Sequence, residues 1–322
     1  MARIHTLSVT LQSIRPVLLL MSSRRMDCFM LCTKCLEQYT ELAQFKKIYV
    51  LSTGCSSEHS VLIQSFQKRH DNVVVIEGNS FGGGNPLPAM LNIIMRRHAA
   101  DPIVKLYEDV FVTPDWLPRL LSTYRNTRSN PRRAIVSALA PISRTGRPFM
   151  ERLLRAHYPE ERELFPDIPF LHNSIAHRFL WEKILHEQLT QKLLEQRNSE
   201  YILRPSLSTE CVLFDAAFTR QLLPFPMERD DAPRPDEPHI VETLSRLSLQ
   251  AAVNPHCLVH HFAHQSVEKE LRKNISLDDL WWFMLFGKGG INPELHFHTL
   301  KAAPHPSKRH SSYKKPKLHL IR

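Results

Sequence analysis

The sequence predicts an α/β protein with a mostly parallel sheet that is flanked by helices. Over the first 125 residues, short apolar and β-branched runs alternate with helical patterns of ten or more residues. Parallel strands need crossover helices of that kind. A pair of carboxylates directly after the fourth apolar run lies where open α/β sheets bind their ligands. The predicted strands are Val17–Ser22, Lys47–Ser52, Val73–Glu77 and residues 103–106.

The helices predicted around these strands are amphipathic. Asp27 can cap the first helix, and along it apolar residues recur at steps of three and four, which predicts one buried face. The predicted helices cover residues 27–45, 58–70, 88–98 and 117–124.

The second half of the chain is less regular. Residues 144–170 show no regular period, and residues 224–238 form a loop rich in proline and acids. The predicted strands here are residues 134–139, 210–214 and 252–262, and the predicted helices are residues 173–196 and 239–249. The chain divides into an extension (1–14), a main domain (15–265) with halves at about 15–125 and 130–265, a helical C-terminal addition (266–300) and a tail (301–322).

Length and composition describe an ordinary globular protein. The chain has 322 residues, of which 43% are apolar, and no run approaches the ~18–20 apolar residues of a membrane span. The short apolar run at residues 17–21 lacks the long core of a signal peptide. The six cysteines do not have the spacing of a disulfide framework. We therefore expect a reducing, cytoplasmic setting.

Much of the net charge of +10 comes from the tail, where residues 301–322 hold seven lysines and arginines and no acid. This composition predicts a disordered, solvated segment, and we expect no specific nucleic-acid binding. Next to the tail, Trp281 and Trp282 lie in an aromatic cluster. Together they are a candidate peripheral contact with the inner face of a membrane.

The stretch Tyr107-Glu108-Asp109 is the first candidate site. Its two carboxylates follow a buried strand, and carboxylate oxygens suit a hard divalent cation that carries substrate phosphates. The other interpretation is a pair of solvated turn acids. A later strand-like run contains His256, His260 and His261. Because adjacent strand residues face opposite sides, His260 and His261 cannot both reach one site, and a closed zinc site is not favoured.

The order of these pieces resembles a family-two-like glycosyltransferase with the GT-A fold. In that family, alternating strands and helices lead to a glycine-containing loop with a downstream Asn, and then to a strand that ends in Asp-x-Asp. The matching glycine run is Gly82-Gly83-Gly84, the Asn is Asn92, and the strand end is Tyr107-Glu108-Asp109. Asp236-Glu237 falls where the family has its acidic catalytic pair, and His261 lies near the end of its late strand.

The resemblance implies the transfer of a sugar from a nucleotide-sugar donor to an acceptor hydroxyl, with inversion and with help from Mn²⁺ or Mg²⁺. It implies donor-binding roles for Ser52, Gly83, Asn92, Glu108 and Asp109. It implies metal ligation by Asp109 and His261, and a catalytic base at Asp236 or Glu237. The partners are then a nucleotide sugar and a glycan or other hydroxyl acceptor.

Two positions depart from the family pattern. Tyr107 replaces the first Asp of Asp-x-Asp, and Ser52 replaces the Asp that usually ends the second strand. An inactive relative that still binds nucleotide sugars is therefore the alternative hypothesis.

A third hypothesis comes from Cys28, Cys32 and Cys35. Their Cys-x3-Cys-x2-Cys spacing is that of radical S-adenosylmethionine enzymes, in which three thiolates hold an iron–sulfur cluster. The same residues also fit the apolar stripe of a helix, where cysteine is a good small core residue. We regard the core interpretation as the better one.

Overall fold

The computed structural model describes most of the main domain and a few positions beyond it. The described residues are 14–81, 85–143, 145–160, 201–205, 209–227 and 236–262, with single positions or pairs at 180, 189, 192, 195, 268–269, 271–272 and 277. Gly83, Trp281, Trp282 and the tail lie outside them, as does most of the predicted helix at 173–196.

Nine strands, seven α-helices and two short 3-10 helices, Leu42–Gln44 and Gly78–Phe81, are described. The strands are β1 Val17–Ser22, β2 Lys47–Ser52, β3 Val73–Glu77, β4 Ile103–Tyr107, β5 Val110–Val112, β6 Arg133–Leu139, β7 Ile202–Arg204, β8 Cys211–Phe214 and β9 Gln250–His261. The helices are α1 Met26–Tyr39, α2 Ser57–Arg69, α3 Leu87–Arg97, α4 Trp116–Asn126, α5 Gly146–His157, α6 Ala216–Leu222 and α7 Asp236–Arg246.

The strands form a mixed sheet in the order β3-β2-β1-β4-β8-β6-β9-β5, with β7 paired to β9. The first four neighbours, β3 to β4, are parallel, as the alternation of strands and helices predicts. β8 then runs antiparallel to both β4 and β6, while β6 and β9 are parallel. The predicted α/β class, with a sheet flanked by helices, is confirmed. The sheet is mixed and not mostly parallel as predicted, because β8 runs antiparallel between β4 and β6, and β5 and β7 run antiparallel to β9.

The strand predictions agree with the structure because buried parallel strands are continuous apolar runs. All six residues of β1 are buried, and so are all five of β4. Helix α1, in contrast, ends at Tyr39 and not at residue 45 as predicted. The cause is a tertiary contact: Thr40 is extended, and its Oγ1 accepts a hydrogen bond of 2.7 Å from the indole Nε1 of Trp116.

Residues 144–170, predicted to be irregular, contain helix α5. Its sequence carries Pro148 and several arginines, which hide the short apolar spacing of Met150 and Leu154. Proline is tolerated in the first turn of a helix, where its missing N–H has no intrahelical partner to lose. The short elements β5, β7 and α6 were not predicted either, because three to seven residues hold too little periodicity. Within the described residues, no helix has the length and apolarity needed to cross a membrane.

Gly146 begins α5 at a point where the backbone is crowded. A Cβ at this position would lie 1.9 Å from the carbonyl oxygen of Ala140. We therefore predict that Gly146→Ala lowers the free energy of unfolding by about 3 kcal/mol, since backbone cannot move aside cheaply. Urea unfolding measures the effect. Ser143→Ala, which removes only the hydroxyl that accepts from the Gly146 amide at 2.8 Å, is the comparison and should cost about 1 kcal/mol. Equal losses for the two variants would contradict the crowding.

Candidate functional site

The carboxyl ends of the parallel strands form one polar edge of the sheet. In the strand register, Ser22 of β1 is opposite Ser52 of β2, and Met21 of β1 is opposite Tyr107 of β4. Glu108 and Asp109 follow in the turn between β4 and β5. The edge is therefore where a ligand of an open α/β sheet would bind.

Glu108 has a structural role at this edge of the sheet. Its carboxylate receives hydrogen bonds from Ser22 Oγ (2.9 Å), Ser23 N (2.9 Å), Ser23 Oγ (2.8 Å) and Arg25 N (3.2 Å). The side chain is buried, and this burial raises its pKa, although the bonds from Ser23, Ser22 and Arg25 act to lower it. With four donors on two oxygens, Glu108 ties the loop before α1 to the end of β4.

Asp109 lies in a buried cluster of charged side chains. Its Oδ2 is 3.0 Å from His261 Nε2 and 2.8 Å from the Arg25 guanidinium. The other ring nitrogen of His261, Nδ1, is 3.4 Å from Glu210 Oε1. Asp109 and His261 are fully buried. The imidazole thus lies between two carboxylates, and the structure brings together the two predicted metal ligands.

His260 lies on the other face of β9, as the alternation of strand side chains predicts. Its ring stacks on Phe111 of β5 with a centroid distance of 6.5 Å. His261, the next residue, contacts Asp109.

The Asp109 cluster does not fit a divalent cation while Arg25 keeps its place. The 3.0 Å between Asp109 Oδ2 and His261 Nε2 would suit two ligands of one ion, but a guanidinium already lies on the same Oδ2. A single and a double positive charge about 4 Å apart repel by about 8 kcal/mol at an effective dielectric constant of about 20. Within the part of the chain that the structure describes, no three His, Cys, Asp or Glu side chains converge as a metal site.

Tyr107, the residue in place of the first Asp, belongs to a second buried cluster. Its hydroxyl donates to Asp236 Oδ1 at 2.6 Å, and the ammonium of Lys105 forms an ion pair with Asp236 Oδ2. Lys105 also lies 4.6 Å from the Tyr107 ring centroid, a cation–π distance. Only about 1% of Lys105 and of Asp236 is exposed. Both carboxylate oxygens of Asp236 are therefore engaged inside the protein.

Asp236 and Glu237 lie in the first turn of α7, and not in the loop predicted for residues 224–238. Negative side chains are favourable there because the helix N-terminus is partly positive. Glu237 is half-buried, and its Oε1 accepts a hydrogen bond of 2.6 Å from Thr209 Oγ1. Thr209 adjoins Glu210, which contacts His261. Glu237 is thus next to both buried clusters but less enclosed than Asp236.

Asn92, a predicted donor-binding residue, is half-buried on α3 and bonds to the backbone of a distant segment. Its amide nitrogen donates to Phe225 O at 3.0 Å, and its oxygen accepts from Phe225 N at 2.7 Å. Both polar atoms of the amide therefore hold the chain that leads toward α7. Ser52 is buried at the end of β2, on the polar edge.

The three cysteines of the iron–sulfur hypothesis lie along one buried face of α1. Cys28, Cys32 and Cys35 are all fully buried, and burial raises the pKa of each thiol. Cys32 Sγ donates to the carbonyl of Tyr107 at 3.8 Å, across the interface between α1 and the sheet. Their surroundings are those of core residues.

Six side chains at this site were not predicted: Ser22, Ser23, Arg25, Lys105, Thr209 and Glu210. Lys105 is the one that the sequence marks, because a lysine inside an apolar strand must find a buried partner. Arg25 lies in a short polar stretch of the kind that is usually exposed to solvent, and nothing in the local pattern distinguishes it from Arg24.

No protein-family model and no curated protein matches this sequence. Among solved structures, the chain is similar to the mannosyltransferase PcManGT from Pyrobaculum calidifontis in complex with GDP-Man and Mn²⁺, with 12% identity, 81% of this chain and 61% of that chain covered, and a TM-score of 0.47. It is also similar to GalNAc-T7 with UDP, GalNAc and Mn²⁺, with 10% identity, 85% and 50% covered, and a TM-score of 0.49. The chain thus spans between half and two thirds of the length of these two structures, and the similarity concerns the fold alone.

We predict that Lys105→Met lowers the free energy of unfolding by about 3–5 kcal/mol, because it leaves the Asp236 carboxylate buried without its cation. Replacing both partners, as Lys105→Met with Asp236→Leu, should be less costly than Lys105→Met alone, since no buried charge remains. Urea unfolding of the three proteins measures this. A double variant that is less stable than the single one would contradict the ion-pair assignment.

Proposed function

We propose that this chain is a glycosyltransferase that moves a sugar from a nucleotide-sugar donor to an acceptor hydroxyl with inversion, on a GT-A-like domain. The observation that carries the proposal is the meeting of three distant segments at the polar edge of the sheet. Asp109 after β4, His261 at the end of β9 and Glu237 at the start of α7 gather around Glu210 and Thr209. These are the positions that the family resemblance assigns to the donor phosphates and the base.

The reaction requires a general base and a positively charged group, and this edge can supply both. The acceptor oxygen bonds to the anomeric carbon while the bond from that carbon to the phosphate oxygen breaks, and the nucleoside diphosphate leaves with the electron pair. The proton of the acceptor hydroxyl passes to a carboxylate within hydrogen-bond reach. Attack from the face opposite the leaving group inverts the anomeric carbon. The negative charge on the departing diphosphate must meet a positive group.

We assign the base to Glu237 and a positioning role to Asp236. A base must reach the acceptor hydroxyl, and Asp236 is about 1% exposed with Lys105 and Tyr107 on its two oxygens. Glu237 is half-buried, and its Oε1 accepts a hydrogen bond from Thr209 Oγ1. Asp236 anchors the first turn of α7 to β4 and so orients Glu237, its neighbour in the chain.

On the donor side, Ser52 and Asp109 stand on the polar edge, and Gly83 remains a predicted backbone contact. Glu108 and Asn92 contribute indirectly in this proposal, because their polar atoms hold the loop before α1 and the backbone at Phe225. The sheet edge is then prepared for the diphosphate by residues that do not touch it.

A second candidate function is nucleotide-sugar binding without transfer. The observation that favours it is Tyr107, whose hydroxyl joins the structural cluster of Asp236 and does not present a carboxylate to the donor. The two functions differ in turnover and not in binding.

We predict that Glu237→Gln lowers the rate of nucleoside diphosphate release by about 10²–10⁴-fold, the usual contribution of a general base. Donor binding should persist, because the amide keeps the size of the carboxylate. The assay supplies a panel of nucleotide sugars with water or simple glycans as acceptors, and thermal unfolding reports binding. Glu242→Gln, an exposed glutamate on the same helix, is the matched control and should keep full turnover.

Asp236→Asn should behave differently from Glu237→Gln, because it weakens the buried ion pair and lowers the unfolding temperature. Wild-type protein that binds donors without turnover would favour the second candidate. Protein that binds no nucleotide sugar would overturn both.

A further inference from the structure

The positively charged side chain of Arg25 lies beside Asp109, where the family resemblance implies a metal ion. Its guanidinium is 2.8 Å from Asp109 Oδ2 and 3.1 Å from Glu268 Oε2. Asp109 is the carboxylate that the family resemblance assigns to a metal ion. Glu268 is held in turn by Arg272, whose Nε lies 2.7 Å away. The cation at this position therefore belongs to the protein chain itself.

Hydrogen bonds of the backbone also hold Arg25 in place. Its N–H donates to Glu108 Oε1 at 3.2 Å, and the amide and hydroxyl of Ser23 donate to the same carboxylate. Arg25 stands immediately before α1, so the helix limits its motion on the other side. The guanidinium is thus pre-organised at the polar edge, and a ligand need not order it.

Arg25 stays charged, and the two ion pairs that it makes with described residues use only part of its guanidinium. Burial acts to lower its pKa, but the charges of Asp109 and Glu268 outweigh that effect, and the pKa is raised. Each ion pair engages one of the two terminal nitrogens, whereas a guanidinium carries five N–H donors in a planar fork that matches phosphate oxygens. About 24% of the side chain is exposed at the edge. A diphosphate at the polar edge can therefore reach it.

We propose that Arg25 takes the role of the divalent cation at this site: it neutralises the diphosphate of the donor, with Asp109 as its anchor and not as a metal ligand. This inference rests on the proposed function. It assigns a role to each residue of the Tyr107-Glu108-Asp109 stretch. Glu108 positions the Arg25 backbone, Asp109 positions its guanidinium, and Tyr107 completes the neighbouring cluster. Donor binding by this chain is then independent of divalent metal.

The test uses the purified full chain and measures thermal unfolding with UDP, GDP, uridine and guanosine, each with excess EDTA or with Mn²⁺. The nucleosides lack the diphosphate and report on base recognition alone. We expect a diphosphate nucleotide to raise the unfolding temperature equally in EDTA and in Mn²⁺. We expect Arg25→Met to weaken that binding by about ten- to hundredfold, as for the loss of charge-assisted hydrogen bonds.

Arg69→Met is the matched control. Arg69 is also an arginine in an ion pair, 2.8 Å from Glu37, but it stands at the far end of α2 and is half exposed. Its loss should leave nucleotide binding unchanged. If Arg25→Met does not fold, Arg25→Lys keeps the charge without the fork, and the comparison of EDTA with Mn²⁺ on the wild-type chain still decides.

Binding of Mn²⁺ itself is followed by the loss of the free-ion electron paramagnetic resonance signal. We expect no Mn²⁺ binding that depends on Asp109. Binding of Mn²⁺ that Asp109→Asn removes, or nucleotide binding that EDTA abolishes, would overturn the role of Arg25 while leaving the proposed transferase intact. Absence of nucleotide binding under all conditions would instead overturn the proposed function, and with it this inference.

Discussion

The hydrogen bonding of one buried carboxylate, Glu108, is the constraint on which the polar edge of the sheet depends. A buried carboxylate is costly unless donors surround it, and four donors from the end of β1 and the loop before α1 do so here. Three positions follow from these bonds. The start of α1 is set, the Arg25 side chain is directed along the edge, and Asp109, next in the chain, is turned toward β9. Glu108 and Asp109, although adjacent in the chain, thus have different structural roles.

Two buried ionic clusters flank Glu108 and connect elements that are far apart in the sequence. One joins Lys105 and Tyr107 to Asp236, across 131 and 129 residues, and the other joins Asp109 to His261, across 152 residues. Buried ion pairs add little net stability compared with well-packed apolar residues, but a missing partner is expensive. We infer that these clusters favour one specific packing of α7 and β9 next to β4. That arrangement brings Glu237 and Arg25 to the same edge.

Much of the fold could be predicted because its causes are local. The four parallel strands are short, continuous apolar runs, and the helices between them are amphipathic, so period and burial identify both. The resemblance placed Asp109 and His261 together, and the structure puts them 3.0 Å apart. The end of α1 and the helix α5 could not be predicted, because a contact between Thr40 and Trp116 ends the former and Pro148 obscures the latter.

The sequence by itself determined the α/β class, the parallel half of the sheet and the edge at which carboxylates collect, since each follows from residue type and spacing. Only the tertiary structure decided what each charged side chain does. Asp236 and Glu237 are neighbours with the same chemistry, yet the first is buried against Lys105 and the second stands at the rim of the cluster. Arg25 and Arg24 are equally alike, and only Arg25 reaches Asp109. The partners that distinguish Asp236 and Arg25 from their neighbours are Lys105 and Asp109, each more than 80 residues away along the chain, a distance over which local pattern carries no information.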